Sequence, residues 1–381
     1  MARWDLLVLG GGPAGAATAA LAAGAGARVL LVEREVFPRD KVCGEFLSAE
    51  ALPVLRELGV EGALREAGAP PIERCRVSEP GGRTLDAPLP QAGLGVSRAL
   101  LDQRLLDLAR RRGVTVWEGV EATAALWDGT RVAGAVVGRE VPQEIRASVV
   151  VAADGRRSML ARRLHATLGD PARSTAAAWF GFKTHRGGGG LGARVDLHVF
   201  DGGYAGLAAV EGDRVNVCLL ATVAALRRCG GRPEHLLERV RRNPAAREAL
   251  RGTEDGARWH SIGPLRFGVR KPASAGALFV GDAAGTIDPF AGEGMSHALL
   301  GARLAAPVAL EAARWGSLTE EMEARYCKAW TDAFAPATAR ARRLARLLER
   351  PLAATAAVTV LRAIGEPAFA RLVAHSRTAE A

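Results

Sequence analysis

Lysine is nearly absent from this chain. Four lysines, Lys41, Lys183, Lys271 and Lys328, stand among 51 basic residues. The rest is arginine, spread along an alanine-rich sequence with glutamates between, as codon bias toward Ala, Gly and Arg would give. The net charge of +10 therefore describes solvated faces; no reader motif accompanies it, and no nucleic-acid partner is expected. Cysteine is also sparse. Cys43, Cys75, Cys218, Cys229 and Cys327 form no Cys-x-x-Cys pair and no Cys/His cluster of zinc spacing. A reducing compartment with no metal is expected, which places the protein in the cytoplasm. No run reaches the roughly 18 uninterrupted apolar residues of a membrane span. The late stretch Leu352 to Leu361 is too short, and Asp5 interrupts the only leader-like stretch. His165, His185, His198, His235, His260 and His297 are scattered, and no Ser-His-Asp constellation is evident.

What is present begins at the N-terminus. The apolar run Trp4-Asp5-Leu6-Leu7-Val8-Leu9 leads into Gly10-Gly11-Gly12-Pro13-Ala14-Gly15 and then an alanine-rich helical stretch. Glycines at 10, 12 and 15 make a G-x-G-x-x-G turn between a strand and a helix, the context a dinucleotide site requires. Gly10 permits the tight turn, Gly12 lets a pyrophosphate approach the backbone, and Gly15 lets the helix lie close to the sheet. The helix start offers free N–H groups to the phosphates. A second strand, Arg28 to Val32, ends in Glu33, where a carboxylate accepts the hydroxyls of an adenosine ribose.

At 381 residues the chain has room for two or three lobes. Arg34 to Leu47 reads as a loop, with basic residues crowding Cys43-Gly44, and a helix starts near Ser48. Short extended pieces with Pro/Gly turns fill 70–90, as in a hairpin. Ser97 caps a leucine-rich helix that Arg98 opens. A meander over 120–152 runs into Asp154-Gly155, at the strand end where open α/β sheets bind ligands. Strands then dominate 170–265 and predict an antiparallel sheet facing an apolar substrate. Ala277 to Val280 is a strand delivering Gly281-Asp282-Ala283-Ala284-Gly285, and a long helix begins near Gly294. Ser317-Leu318-Thr319-Glu320 reads as a capping box. Arg340 to Arg350 forms a basic amphipathic helix, a solvated surface helix or a peripheral membrane contact.

The three motifs in order, the glycine turn with Glu33, Asp154-Gly155, and Gly281-Asp282-Ala283-Ala284, resemble the FAD-dependent oxidoreductases of the para-hydroxybenzoate hydroxylase-like superfamily. Lys41-Val42-Cys43-Gly44-Glu45 and Asp288-Pro289-Phe290-Ala291-Gly292-Glu293-Gly294-Met295 look most like the geranylgeranyl reductase family. The resemblance covers roughly residues 4–48, 95–165 and 270–312. It implies an α/β fold with an α+β second lobe: a Rossmann-like FAD-binding domain (1–69, 95–168 and 266–315), a substrate domain built on an antiparallel sheet (70–94 and 169–265), and C-terminal helices (316–381).

The resemblance also implies roles. Gly10, Gly12, Pro13, Ala14 and Gly15 would hold the pyrophosphate, Glu33 the adenosine ribose and Ala122 the adenine, with Arg34 in the same cofactor-binding set. Asp154 and Gly155 belong to the same cofactor-binding set. Arg98 would meet the phosphate or ribityl region and Asp282 the ribityl side. Cys43 and Gly44 would lie near the flavin, with Gly294 and Met295 pointing N–H groups at its pyrimidine edge and Pro289 and Phe290 walling the ring. The flavin carries the chemistry, so no catalytic side chain is assigned beyond the flavin-proximal Cys43, Pro289 and Phe290. One departure matters. The substrate-facing Tyr-x-Trp-x-Phe-Pro pattern of geranylgeranyl reductases is reduced here to Tyr204-Ala205-Gly206-Leu207-Ala208-Ala209. The first expectation is therefore an NAD(P)H-dependent monooxygenase acting on a hydrophobic or aromatic small molecule. The alternative is reduction of C=C bonds in a prenyl or polyene chain, and a third reading is a flavin-binding partner protein without turnover. The oligomeric state is left open.

Overall fold

The computed structural model describes residues 3–164, 179–254, 256, 258–265, 267–348 and 351–375. Two large sheets organise them. In the first, Trp4–Leu9 lies between Val29–Glu33 and Gln143–Ala152, parallel to both. Thr115–Glu118 continues the sheet beyond Val29–Glu33, and Ala277–Phe279 pairs in parallel with Gln143–Ala152 on the other side. Leu6, Leu7 and Val8 are fully buried, as a continuous apolar run must be when both faces of a sheet are covered. The helices Pro13–Gly24 and Gly294–Trp315 pack against each other over this sheet. The first helix lies close against the strand ends and the 281–283 segment because the residues there are small. A β-carbon on Gly15 would stand 1.9 Å from the Gly10 carbonyl oxygen, and one on Gly281 would stand 3.0 Å from the Ala14 methyl.

The second sheet runs in the order His260–Leu265, Trp179–Gly187, Arg214–Thr222, Gly203–Val210, Arg194–Phe200, Pro71–Ser78, Thr84–Gly95, Phe46–Leu47. One face buries Phe182, Val217 and Leu219 against Leu236 and Leu237 of the helix Pro233–Val240. Three expectations need correction. The sheet is not wholly antiparallel: Pro71–Ser78 lies parallel to Arg194–Phe200, because the two strands come from distant segments and no hairpin dictates their direction. The 34–47 loop ends in a strand, Phe46–Leu47, pairing with Gly95 and Leu94. The late helix is capped by Thr319, whose hydroxyl accepts from the Met322 N–H at 3.3 Å, rather than by Ser317. His165, Arg350 and residues 169–178 of the expected substrate lobe lie outside the described residues.

The meander holds, as Ala122–Asp128, Arg131–Val137 and Gln143–Ala152. So does the Ser97 cap, which accepts from the Leu100 N–H at 3.1 Å. Three helices, Glu320–Leu348, Pro351–Ile364 and Glu366–His375, close the C-terminal side. Among the described residues no single helix is long and apolar enough to cross a membrane.

Candidate functional site

A long cavity separates the two sheets. Its walls come from the glycine turn (Gly12, Pro13, Ala14), the Lys41–Phe46 loop, Arg98, Gly155, Arg156 and the 280–298 segment. Helix starts are concentrated here. The helix Pro13–Gly24 has Gly12 as its cap residue and no side-chain cap, and Gly294–Trp315 likewise has no side-chain cap. Their first N–H groups have no partner within the helix and carry partial positive charge. A third helix at the cavity, Arg98–Arg111, is capped from within the protein, since the Arg98 N–H donates to Glu45 Oε1 at 2.8 Å. The two uncapped starts are thus left for something electron-rich.

Cations reinforce the first of them. A β-carbon on Gly12 would stand 3.8 Å from guanidinium nitrogens of both Arg39 and Arg98. Buried Asp102 holds these two arginines in place. It accepts from Arg98 Nε at 2.8 Å and from Arg98 and Arg39 terminal nitrogens at 2.6 Å. Burial works against the Arg98 charge, but the Asp102 carboxylate outweighs it and raises the guanidinium above its ordinary pKa. Lys41 has no such partner. Burial, reinforced by the Arg98 charge, pushes its ammonium down to about 8. The only opposing carboxylate among its main influences is that of Asp282, which lies 3.7 Å from Arg156. Positive charge therefore exceeds negative at this wall, the field a pyrophosphate fits.

The Lys41–Phe46 loop is fastened to the second sheet by a buried ion network. Glu45, at φ +56°, accepts from Lys183 Nζ, and its other oxygen lies 2.6 Å from His185 Nε2. Lys183 also donates to Asp40 at 2.8 Å, and neither Lys183 nor Glu45 is exposed. Burial opposes the Lys183 charge, yet Glu45 and Asp40 together raise its pKa. Asn216 Nδ2 donates to the Cys43 carbonyl at 3.0 Å. Asp40, Glu45 and His185 cluster tightly enough to ligate an ion, but the Lys183 ammonium bonds both carboxylates and supplies the cation itself. A positive φ in a long acidic residue is strained, and this network holds it.

Away from the charges the cavity turns apolar. Val77, Leu85, Val195, Leu197 and Leu220 line it from the second sheet, and Val358, Leu361, Phe369 and Leu372 from the last two helices. Tyr204 packs edge-on against Phe290 with ring centroids 5.7 Å apart. Nearby Cys218 is half-buried on the cavity wall, and desolvation pushes its thiol up to about 12.

Of the residues singled out by sequence, the structure brings Gly12, Pro13, Ala14, Cys43, Gly44, Arg98, Gly155, Asp282, Pro289, Phe290, Gly294 and Met295 to this one cavity. Gly10 and Gly15 lie beneath the turn. Gly10, at φ +103°, leaves no room for a side chain, since its β-carbon would stand 2.4 Å from the Ala153 carbonyl oxygen. Asp154 sits behind the wall, accepting from the Met159 N–H at 2.9 Å, with burial raising its pKa. Glu33 is buried at the far end of the turn and accepts from the Gly11 N–H at 2.6 Å. Arg34 is exposed beside Glu35, and Ala122 stands at a strand start away from the cavity wall. Sequence reasoning missed Arg39, Asp102 and the Glu45–Lys183 pair. The i,i+4 spacing of Arg98 and Asp102 was one available signal, and the rarity of lysine was another.

One Ser-His-Asp grouping does exist. Ser78 Oγ lies 2.7 Å from His198 Nδ1, and His198 Nε2 lies 3.7 Å from Asp196. All three are sealed at 0–1% exposure, and Asn243 donates to the serine at 2.9 Å. Ser78, His198 and Asn243 form a core hydrogen-bond cluster, whereas Asp196 belongs to the cavity wall and its Oδ2 makes no hydrogen bond to His198, so the three do not form a catalytic relay.

The model of the FAD binding domain family matches residues 3–325. The chain is 30% identical to digeranylgeranylglycerophospholipid reductase 1 of Methanopyrus kandleri, over 91% of each chain. It is 30% identical to menaquinone reductase of Mycobacterium tuberculosis, over 91% of this chain and 84% of that one. The solved structure of a geranylgeranyl bacteriochlorophyll reductase-like protein from Thermoplasma acidophilum superimposes with a TM-score of 0.75 at 22% identity, covering 99% of this chain and 93% of that one. Together with the glycine turn and the uncapped helix starts, these matches mean that the chain belongs to the FAD binding domain family, as an FAD-dependent oxidoreductase of the para-hydroxybenzoate hydroxylase-like superfamily related to geranylgeranyl reductases.

Proposed function

We propose that this oxidoreductase saturates C=C bonds in a long apolar chain of isoprenoid type. The observation that carries the reading is the continuity of the cavity, from the cationic wall at Gly12 and Arg98 to the aliphatic surface of the last two helices. The curated relatives named as reductases support it. The walls fit the cofactor. The bare Gly12 turn, Ala14, Arg98 and Lys41 would hold the pyrophosphate, and Glu33 the ribose hydroxyls. The free N–H groups of Gly294 and Met295 would face the pyrimidine edge of the ring, with Cys43, Gly44, Pro289 and Phe290 around it. Bound FAD supplies two-electron chemistry. The chain supplies the remainder: the Gly294 helix start stabilises negative charge, and the apolar walls exclude water from the reacting chain. The long aliphatic lining gives a linear hydrocarbon its contact area.

The second reading is hydroxylation with NAD(P)H as electron donor. The departure at Tyr204-Ala205-Gly206-Leu207-Ala208-Ala209 favours it, because this stretch keeps only the tyrosine of the prenyl-reductase pattern and lacks its Trp, Phe and Pro. One experiment separates the two. Flavin-loaded protein is reduced with dithionite under anaerobic conditions and incubated with a geranylgeranyl lipid, and the product is weighed by mass spectrometry. Gain of a hydrogen pair per double bond is the expected result. No anaerobic saturation, together with oxygen consumption and gain of an oxygen atom in a parallel aerobic arm driven by NAD(P)H, overturns the first reading in favour of the second.

A further inference from the structure

The helix Pro351–Ile364 is apolar on two opposite sides. Its inner side buries Ala354 and Val358 and turns Leu361 into the cavity. Its outer side carries Leu352, Ala356, Val360 and Ile364, one every four residues and all exposed, hence in a single row along the helix. Leu352 is 88% exposed, Ile364 63% and Val360 56%. These are three of the seven large hydrophobic side chains exposed among the described residues, gathered on one helix. A helix that merely closes a soluble fold presents polar residues outward.

The surroundings are basic. Arg343, Arg346, Arg362 and Arg371 are exposed on this helix and its two neighbours. The one carboxylate among the described residues of the last two helices, Glu366, is taken up by Arg74 at 3.0 Å. After Ile364 the chain bends by 118° into a helix whose Phe369 and Leu372 line the same cavity. Here the wall between cavity and exterior is one helix thick.

We propose that the Pro351–Ile364 helix lies in the surface of an anionic phospholipid bilayer. The Leu352–Ile364 row enters the acyl boundary, and Arg343, Arg346, Arg362 and Arg371 meet headgroup phosphates. At 14 residues the helix is too short to span a bilayer and long enough to lie along it. The flanking arginines match an anionic surface. A row of three aliphatic side chains and an alanine is small beside the roughly 800 Å² per partner that a stable protein interface needs, whereas a bilayer asks only for such a stripe. As a corollary, apolar substrate loads from the bilayer past this helix. The corollary rests on the proposed reductase reading; the surface does not.

The test is flotation of the flavin-loaded full chain with vesicles of phosphatidylcholine alone and of phosphatidylcholine mixed with phosphatidylglycerol. Binding to the mixed vesicles, weakened by salt, is expected. The triple variant Leu352→Ser, Val360→Ser, Ile364→Ser should lose at least about tenfold in vesicle binding while keeping its FAD content and Tm. Arg343→Gln with Arg346→Gln and Arg362→Gln should abolish the preference for the anionic vesicles. Absence of binding by the flavin-loaded wild type overturns the proposal. So does a triple variant that binds equally well, or a wild-type dimer that the triple variant splits with no vesicle binding in either. If vesicle binding holds and anaerobic saturation fails, the reductase reading falls and the docking surface stands.

Discussion

Lys183 reaches from the second sheet to Glu45 of the Lys41–Phe46 loop, and both side chains are sealed from water. Removing one charge takes away the other's fully buried counter-charge and leaves it only a less buried partner, Asp40 for Lys183 and His185 for Glu45. Lys183→Met or Glu45→Gln should each cost about 3–5 kcal/mol, read as a large fall in the Tm of the flavin-loaded protein. The double variant should be less damaged than the sum of the singles, because neither buried charge then remains. Additive losses would show that the two groups act independently.

The glycines of the turn do different work, and alanine separates them. A β-carbon on Gly15 collides with the Gly10 carbonyl at 1.9 Å, whereas one on Gly12 meets nothing closer than 3.8 Å. Gly15→Ala should therefore fail to fold or lose several degrees of Tm without FAD. Gly12→Ala should leave the Tm of the flavin-free protein unchanged and weaken FAD binding by at least about tenfold, as a lost phosphate approach predicts. Equal FAD affinity in Gly12→Ala would refute the placement of the pyrophosphate at this turn.

Lys41 gives the site a pH dependence. In the flavin-free protein its pKa is about 8, below the ordinary 10.5. The unfolded chain holds this proton up to 10.5 and the folded chain releases it from 8, so this group makes the flavin-free protein more stable as pH rises between those values. A bound anion favours the charged ammonium and raises its pKa. FAD affinity should accordingly fall as pH climbs above 8, with a proton taken up on binding, and calorimetry in buffers of different ionisation enthalpy measures both. Lys41→Met should bind more weakly and show a flat profile over this range.

Two cavity thiols should respond differently to alkylation. Desolvation pushes Cys218 up to about 12, so it should stay unmodified near neutral pH. Cys43, half-buried on the cavity wall, should react in the flavin-free protein and be shielded by FAD. Peptide mass mapping with and without FAD reads both outcomes, and equal labelling of Cys43 in the two states would move the flavin away from it.

The first sheet was legible because its signals are local. Leu6 to Leu9 and Val29 to Val32 are uninterrupted apolar runs, and the glycines at 10, 12 and 15 fix the turn between strand and helix. Ser97 announced its own helix through a neighbouring N–H. The parallel placement of Pro71–Ser78 beside Arg194–Phe200 had no local signature, since it joins segments more than a hundred residues apart. The Glu45–Lys183 pair was hidden for the same reason. Composition still held a clue: in a chain that uses arginine almost everywhere, two of its four lysines stand at the site, Lys41 half-buried and Lys183 fully buried. Arginine's broad planar head is a poor substitute for a compact ammonium between two carboxylates.

The chain leaves the first sheet after Gln143–Ala152 and returns to it only at the hairpin Ala273–Ser274 and Ala277–Phe279, the latter strand pairing with Gln143–Ala152. A ribosome that has made the first 270 residues carries a sheet whose Val150–Ala152 edge waits for its neighbour, an apolar edge open to wrong pairing. Pro13 and Ala14 emerge early, yet Asp282 and Met295 of the same cavity come hundreds of residues later. On the proposed placement of the cofactor, synthesis must run past Met295 before its seat is complete, and the flavin is then expected to bind only after this part of the polypeptide is made.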